Sequence, residues 1–374
     1  MTRRASIILA SILGWGVPGC GGDSNGAGTT EDGETGAGEA STSGDSDPGA
    51  TDGAESGGAD QGTGATGDGD GDGDGDGDLN TVRFLVIGDT GEGNEVQYSV
   101  GSSAATTCDL KGCEFALLLG DNFYDVGVDS LMDSQFIDKF ELPYADLLAA
   151  EVPFYVVLGN HDYGALAMDW DLGVYQVQYR DVQPLWRMPD ACYWYDFRPR
   201  PDIHFFAFDT ARIMGNEDED EQRGWLDAVI GASDARWKVT FAHHPLRSNG
   251  EHGNAGNYDG LGLVPDNFIY DGAGKGVREL FDDILCGRVD VYFAGHDHNR
   301  QSFSADCGIQ SVVSGAGAKV TDFAFRDDNS SVNLWGDDTT PGYMWVEINL
   351  ATDTFRGEWY DLDGNLDFIH TFSK

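Results

Sequence analysis

The stretch FALLLGDNFYD (residues 115–125) runs five apolar positions into a glycine and then presents Asp121, Asn122 and, three places after the aspartate, Tyr124. A continuous apolar run of this length is a strand buried on both faces, and Gly120 marks where its backbone turns sharply into a loop. In open α/β sheets the carboxyl ends of such strands are where sites are built. The same pattern recurs along the chain. VRFLVIGDTGEG ends its strand at Gly88 and presents Asp89, and PFYVVLGNHDYG presents Asn160 and His161 after Gly159. WKVTFAHHP delivers His243 and His244, and VDVYFAGHDHNR delivers His296 and His298. Buried strands alternating with loops and helices place the chain in the α/β class.

Taken singly, each of these residues has a bland reading. Asp89 or Asn160 is an ordinary turn residue or helix cap, Tyr124 a packed loop aromatic, and His296 with His298 the same face of an extended segment. Their joint placement at five strand ends, in a chain with eight histidines in all, defeats those readings. The donors are oxygens and imidazoles without a thiol, which suits iron, manganese or zinc. Seven are too many for one tetrahedral zinc. They suit two ions that share one carboxylate and leave room for water and substrate. Asp121 can bridge while its loop carries Tyr124 round to one ion, and a phenolate favours Fe(III), which would colour the protein.

Around this core the chain divides. Residues 1–20, MTRRASIILASILGWGVPGC, put Arg3 and Arg4 before an apolar run too short to span a bilayer, the form of an export signal. The ending VPGC resembles a bacterial lipoprotein signal and implies a lipid anchor at Cys20, so a periplasmic or cell-surface location is expected, or secretion without the anchor. Residues 21–78 are almost wholly Gly, Asp, Glu, Ser, Thr and Ala and cannot bury a core, which makes them a disordered acidic linker. Its final GDGDGDGDGDGD lacks the Glu that a calcium loop needs at its twelfth position.

Residues 79–374 form the remaining domain and carry 49 acidic against 20 basic side chains, a balance of −29. Such a surface repels nucleic acid and anionic membranes, so a small substrate is the expected partner, and oligomeric state is not readable. Cys108, Cys113, Cys192, Cys286 and Cys307 are odd in number; Cys108 with Cys113 and Cys286 with Cys307 are admissible pairs that leave one thiol over. Residues 217–230 and 277–286 have helical spacing, while GYMWVEINL and TFRGEWYDL alternate like a half-exposed antiparallel sheet. Asp361, Asp363 and Asn365 in DLDGNLD read as a hairpin turn, and His204 as a satisfied histidine.

The motifs GDTG, GDNFY, GNHD, HHP and GHDH stand in the order found in purple acid phosphatases, and similarity continues through SGAGAKV. The sequence resembles that family, in its small mammalian tartrate-resistant form, within the calcineurin-like metallophosphoesterases. The resemblance implies a four-layer α/β/β/α sandwich of two mixed β-sheets flanked by helices. It implies Fe(III) on Asp89, Tyr124 and His298, with Asp121 bridging to a divalent Fe, Zn or Mn on Asn160, His243 and His296. His244 stands where relatives carry a tyrosine or another residue, which leaves it open as the ligand in place of His243. By the same resemblance His161 and His252 are the candidate proton donors to the leaving group. The implied reaction is acid hydrolysis of phosphate monoesters by a metal-bound hydroxide in line with the leaving group. A diesterase or nucleotidase, or a non-enzymatic surface metal-binding protein, are the alternatives.

Overall fold

The computed structural model describes residues 79–164, 168–258, 271–324 and 333–374. The export signal, the anchor at Cys20 and the linker lie outside them. The first half supplies strands β1 (Thr81–Ile87), β2 (Phe115–Leu119), β3 (Phe154–Val157), β4 (Trp186–Arg187), β5 (Tyr195–Arg200), β6 (Ile203–Ala207) and β7 (Trp237–Phe241). The second supplies β8 (Val291–Ala294), β9 (Arg300–Phe303), β10 (Gln310–Ser314), β11 (Asn333–Asp337), β12 (Gly342–Asn349), β13 (Thr354–Asp361) and β14 (Leu366–Ser373). Among the described residues they form two sheets, ordered β14-β13-β12-β1-β2-β3-β4 and β11-β9-β10-β8-β7-β6-β5.

Each sheet has a parallel centre. β1 to β4 run parallel, as do β6, β7, β8 and β10, and antiparallel strands complete the edges. The parallel strands are the continuous apolar runs of the sequence, buried on both faces as such strands must be. Their inner faces meet through aromatic rings. Phe84 of β1 stands edge-on to Phe205 of β6 at 5.3 Å and to Phe293 of β8 at 6.0 Å. Edge-to-face pairs of this kind add about 0.5–1.5 kcal/mol each beyond area burial. Buried Arg300 of β9 also crosses between sheets, donating to the Tyr360 carbonyl of β13 at 3.0 Å and pairing with Asp367 of β14 at 2.8 Å.

Helices cover the outer faces. On the first sheet α1 (Glu95–Lys111) brings Thr107 Oγ1 within 2.7 Å of the Tyr343 hydroxyl on β12. Short helices α2 (Ala145–Ala149) and α3 (Trp170–Tyr179) follow, and α4 (Thr210–Met214) comes after β6 of the second sheet. On the second sheet α5 (Glu219–Ala232) buries Gln222, Leu226 and Ile230, one face at four-residue spacing. α6 (Lys275–Leu280) continues as a π-turn (Phe281–Leu285), with Phe281 packed edge-on against Tyr292 of β8 at 4.7 Å. The four-layer expectation holds, and the two expected helices lie within two residues of their expected starts.

Three details go beyond the sequence reading or correct it. β12 is buried on both faces rather than half-exposed, because α1 covers its outer side; the alternation belongs to the edge strand β14. Cys108–Cys113 and Cys286–Cys307 are disulfides, and no cysteine among the described residues is free, so the thiol left over by the odd count is not found. The Asp361 carboxylate accepts from the amides of Asp363 and Asn365 at 2.9 and 2.8 Å, which makes DLDGNLD the β13–β14 turn. No helix among the described residues is long and apolar enough to cross a membrane.

Candidate metal centre

Asp89, Asp121, Asn160, His243 and His296 follow directly on the carboxyl ends of β1, β2, β3, β7 and β8. Three of them hold a left-handed backbone: Asp89 at φ 57°, Asp121 at 52° and His296 at 72°. L-residues rarely adopt this conformation, and three in one cluster mean that the surroundings over-determine it. The Asp89 amide donates to the Gly120 carbonyl at 3.0 Å, and the His296 amide to Asp89 Oδ2 at 2.8 Å. The preceding glycines let backbone and carboxylate approach. A Cβ on Gly159 would lie 2.2 Å from Asp121 Oδ1, and one on Gly295 would lie 2.3 Å from Asp89 Oδ2.

The side chains converge as two groups sharing Asp121. In one, the Tyr124 hydroxyl lies 2.9 Å from both Asp89 Oδ1 and Asp121 Oδ2 and 3.1 Å from His298 Nε2. In the other, His243 Nε2 lies 3.0 Å from Asn160 Oδ1, 3.4 Å from Asp121 Oδ2 and 3.2 Å from His296 Nδ1. His243 Nδ1 is 2.9 Å from the Leu119 carbonyl and must donate to it, so in the neutral ring Nε2 turns a lone pair towards other lone pairs. Buried acceptors facing acceptors require a positive charge between them.

The electrostatics express the same demand. Burial pushes Asp89 up to about 7, helped by the nearby Asp121 charge and opposed by His243. Burial also acts to raise Asp121, but the charge and hydrogen bond of His243 outweigh it and hold this carboxyl well below the usual range. Burial disfavours a charged His243, yet Asp121 and then Asp89 carry it up to about 10. Tyr124 is driven well above an ordinary phenol by burial and by both carboxylates. A proton on His243 is the smallest cation that answers this cluster. Metal ions answer it better, because one ion serves carboxylate, phenol, amide and imidazole at once, and the donor set fits iron, zinc or manganese.

Residues 82–300 match the calcineurin-like phosphoesterase family. The chain belongs to that family. It is 27% identical to rat tartrate-resistant acid phosphatase type 5 over 300 residues, covering 72% of this chain and 84% of the relative. It is 28% identical to purple acid phosphatase 3 of Arabidopsis thaliana over 313 residues, 79% and 78% of the two chains. Among solved structures, Plasmodium GAP50, described as an anchor in the inner membrane complex, superposes with a TM-score of 0.61 at 19% identity, over 78% of this chain and 89% of that one. A PhoD structure gives 0.52 at 13% identity, over 79% and 70%. These structural likenesses concern the fold.

In this phosphoesterase the two candidate proton donors flank the cluster. His161 lies against the Tyr124 ring at 4.7 Å, its Nδ1 2.9 Å from the Asp125 carbonyl and its amide 2.9 Å from Asp121 Oδ1. His252 lies against His296 at 4.3 Å, its amide donating to Asp297 Oδ1 at 2.9 Å. The structure also separates the two histidines of HHP. His243 turns Nε2 into the cluster, whereas His244 Nδ1 is 2.8 Å from Thr210 Oγ1, with its ring tilted against His296 at 4.3 Å. One nitrogen each of His243, His244 and His296 lie within 4.8 Å of one another, so His244 borders the second group beside His243.

The sequence reading passed over two buried aspartates of the phosphoesterase motifs. Asp162, the last letter of GNHD, accepts from the amides of Asn122, Phe123 and Gly159 at 3.0, 3.1 and 2.8 Å and from Gln176 Nε2 at 2.8 Å. It staples the loop after β2 to the loop after β3. Asp297 of GHDH holds the His252 loop in the same manner. Their presence inside the motifs was the available signal.

Proposed function

We propose that this phosphoesterase is an exported acid phosphatase that hydrolyses phosphate monoesters at a dinuclear metal centre. The observation that carries the reading is Asp121: one buried carboxylate shared by two converging donor groups, with a phenol in only one of them. Fold does not carry it, since a protein described as an anchor has the same architecture. Asp89, Tyr124 and His298 would hold Fe(III), and Asn160, His243 and His296 a divalent Fe, Zn or Mn, with Asp121 bridging. Two bound cations would neutralise the phosphoryl oxygens and acidify a water.

The chain's own residues do the rest. Leu119 fixes the His243 tautomer that presents Nε2 to the cluster. His161 Nδ1 donates to the Asp125 carbonyl, so Nε2 is the nitrogen that gains the second proton of an imidazolium and could pass it to the leaving oxygen. His252, against His296 at 4.3 Å, is the second candidate for that proton transfer. Proton donation by a histidine requires the imidazolium form, which is the basis for proposing an acid optimum. Export rests on the form of residues 1–20, and an anchor, if made, on Cys20.

The test is to compare initial rates on p-nitrophenyl phosphate and bis(p-nitrophenyl) phosphate at weakly acidic and neutral pH, with Asp121→Asn as control. The reading expects the monoester to be preferred, faster in acid, and lost in the variant. A strong diester preference rejects the monoester assignment, and undiminished activity in Asp121→Asn rejects the site.

A further inference from the structure

Lys319 lies in the loop after β10, within SGAGAKV (residues 314–320). Its Nζ stands 3.5 Å from the centroid of the Tyr124 ring and 2.6 Å from Glu92 Oε1, in the loop after β1. The loop that carries it is pinned on both sides. The Gly317 amide donates to the Gly88 carbonyl at 3.1 Å, Asn94 Nδ2 to the Ala318 carbonyl at 3.0 Å, and the Thr321 amide to the His298 carbonyl at 2.9 Å. A second ammonium, that of Lys139, caps the Tyr124 carbonyl rather than the ring, while the His161 ring also lies against Tyr124, at 4.7 Å. The ring it covers is 4% exposed, in a domain whose acids outnumber its bases 49 to 20. A cation over a shielded aromatic face is attracted by the ring quadrupole, and far more strongly once the phenol carries negative charge.

We infer that Lys319, aimed by Glu92, is a positioning residue that sets the electronic character of Tyr124 towards the ion it holds. The inference rests on the reading of Tyr124 as a ligand of Fe(III). An ammonium over the ring draws phenolate electron density away from the metal, which leaves that metal the stronger Lewis acid. It also leaves an optical signature. The visible band of a ferric phenolate moves one electron from the phenolate to the iron. Here the electron starts beneath a cation and ends farther from it, so the ammonium raises the energy of the transition. Glu92 opposes this effect in part, since its carboxylate offsets some of the field of the ammonium that stands 3.5 Å from the ring centroid.

The experiment is the visible spectrum and metal content of the purified, metal-loaded protein and of Lys319→Gln, Lys319→Met and Lys319→Arg. Lys319 is partly exposed and outside the donor set, and the Met variant keeps the apolar stem in place should Gln disturb loading. The expected result is a phenolate band in the wild type that moves to longer wavelength in the Gln and Met variants at unchanged metal content and returns towards its original position in Lys319→Arg. A band that stays put in both neutral variants overturns the inference alone, as does an Arg variant displaced as far as the neutral ones. An iron-loaded wild type without the band overturns the Tyr124 ligand reading and this inference with it.

Discussion

Asp162 shows how far a site depends on residues that never meet substrate. Burial, and then the Asp121 charge, push its carboxyl up to about 6, and its hydrogen bonds from the Gly159 amide, the Gln176 side chain and the Asn122 amide pull the other way. Replacing it with Asn turns one acceptor into a donor that faces those N–H groups. Asp162→Asn should fold, yet lose metal affinity by about 10–100-fold, as removal of a group that orients ligands does; dialysis against graded chelator measures this. Tyr124→Phe keeps the ring in place and removes the oxygen, so it should bleach the visible band and lower turnover without unfolding the domain. The candidate donors were legible because Asp89, Asp121, Asn160 and His296 each follow an apolar run and a glycine, and His243 an apolar run alone. Asp162 and Asp297 stood inside the motifs, yet their roles, like that of Lys319, come mainly from contact with positions 122, 252 and 124, distant in sequence.

At the scale of elements, β14 carries a pH response separate from the site. Burial against Phe355 and Phe372 holds the His370 imidazole down at about 4 from an ordinary 6.5. Between those values the unfolded chain binds a proton that the folded chain refuses, so stability is complete above 6.5 and falls as pH drops towards 4. The loss amounts to roughly 3 kcal/mol at the acid end. His370→Phe should therefore match wild type or differ by a constant at neutral pH and gain on it steadily in acid, as read from denaturation midpoints. Elements were legible in proportion to their period. β1, β2, β3, β7 and β8 announce themselves as unbroken apolar runs, and α5 by its four-residue spacing. α1, EVQYSVGSSAATTCDLK, is rich in Ser, Thr and Gly and shows no strong stripe; it is started instead by Asn94, whose side chain accepts from the Gln97 amide at 2.9 Å. The burial of β12 depends on α1 lying over it, which the strand's own residues do not encode.

For the whole molecule, charge and metal dominate. The folded domain's excess of acids should repel a dianionic ester, the proposed substrate, until it is close to the cluster. Raising ionic strength shortens the Debye length from about 30 Å at 0.01 M to about 8 Å at 0.15 M. kcat/KM for a phosphate monoester should therefore rise with added inert salt over that range, and a fall would place a cationic funnel where the sequence shows none. Because the donor cluster is a set of buried groups in need of positive charge, binding two ions should also raise the melting temperature, with the stripped protein recovering on readdition. The account as a whole depends on Asp121 serving two ions at once. The most direct measurement is elemental analysis of the purified protein and of Asp121→Asn, paired with phosphatase rates on the same samples. The account predicts two ions per chain including iron in the wild type, at most one in the variant, and activity only in the former. A well-folded wild type with full activity and a single ion, or none, would contradict it.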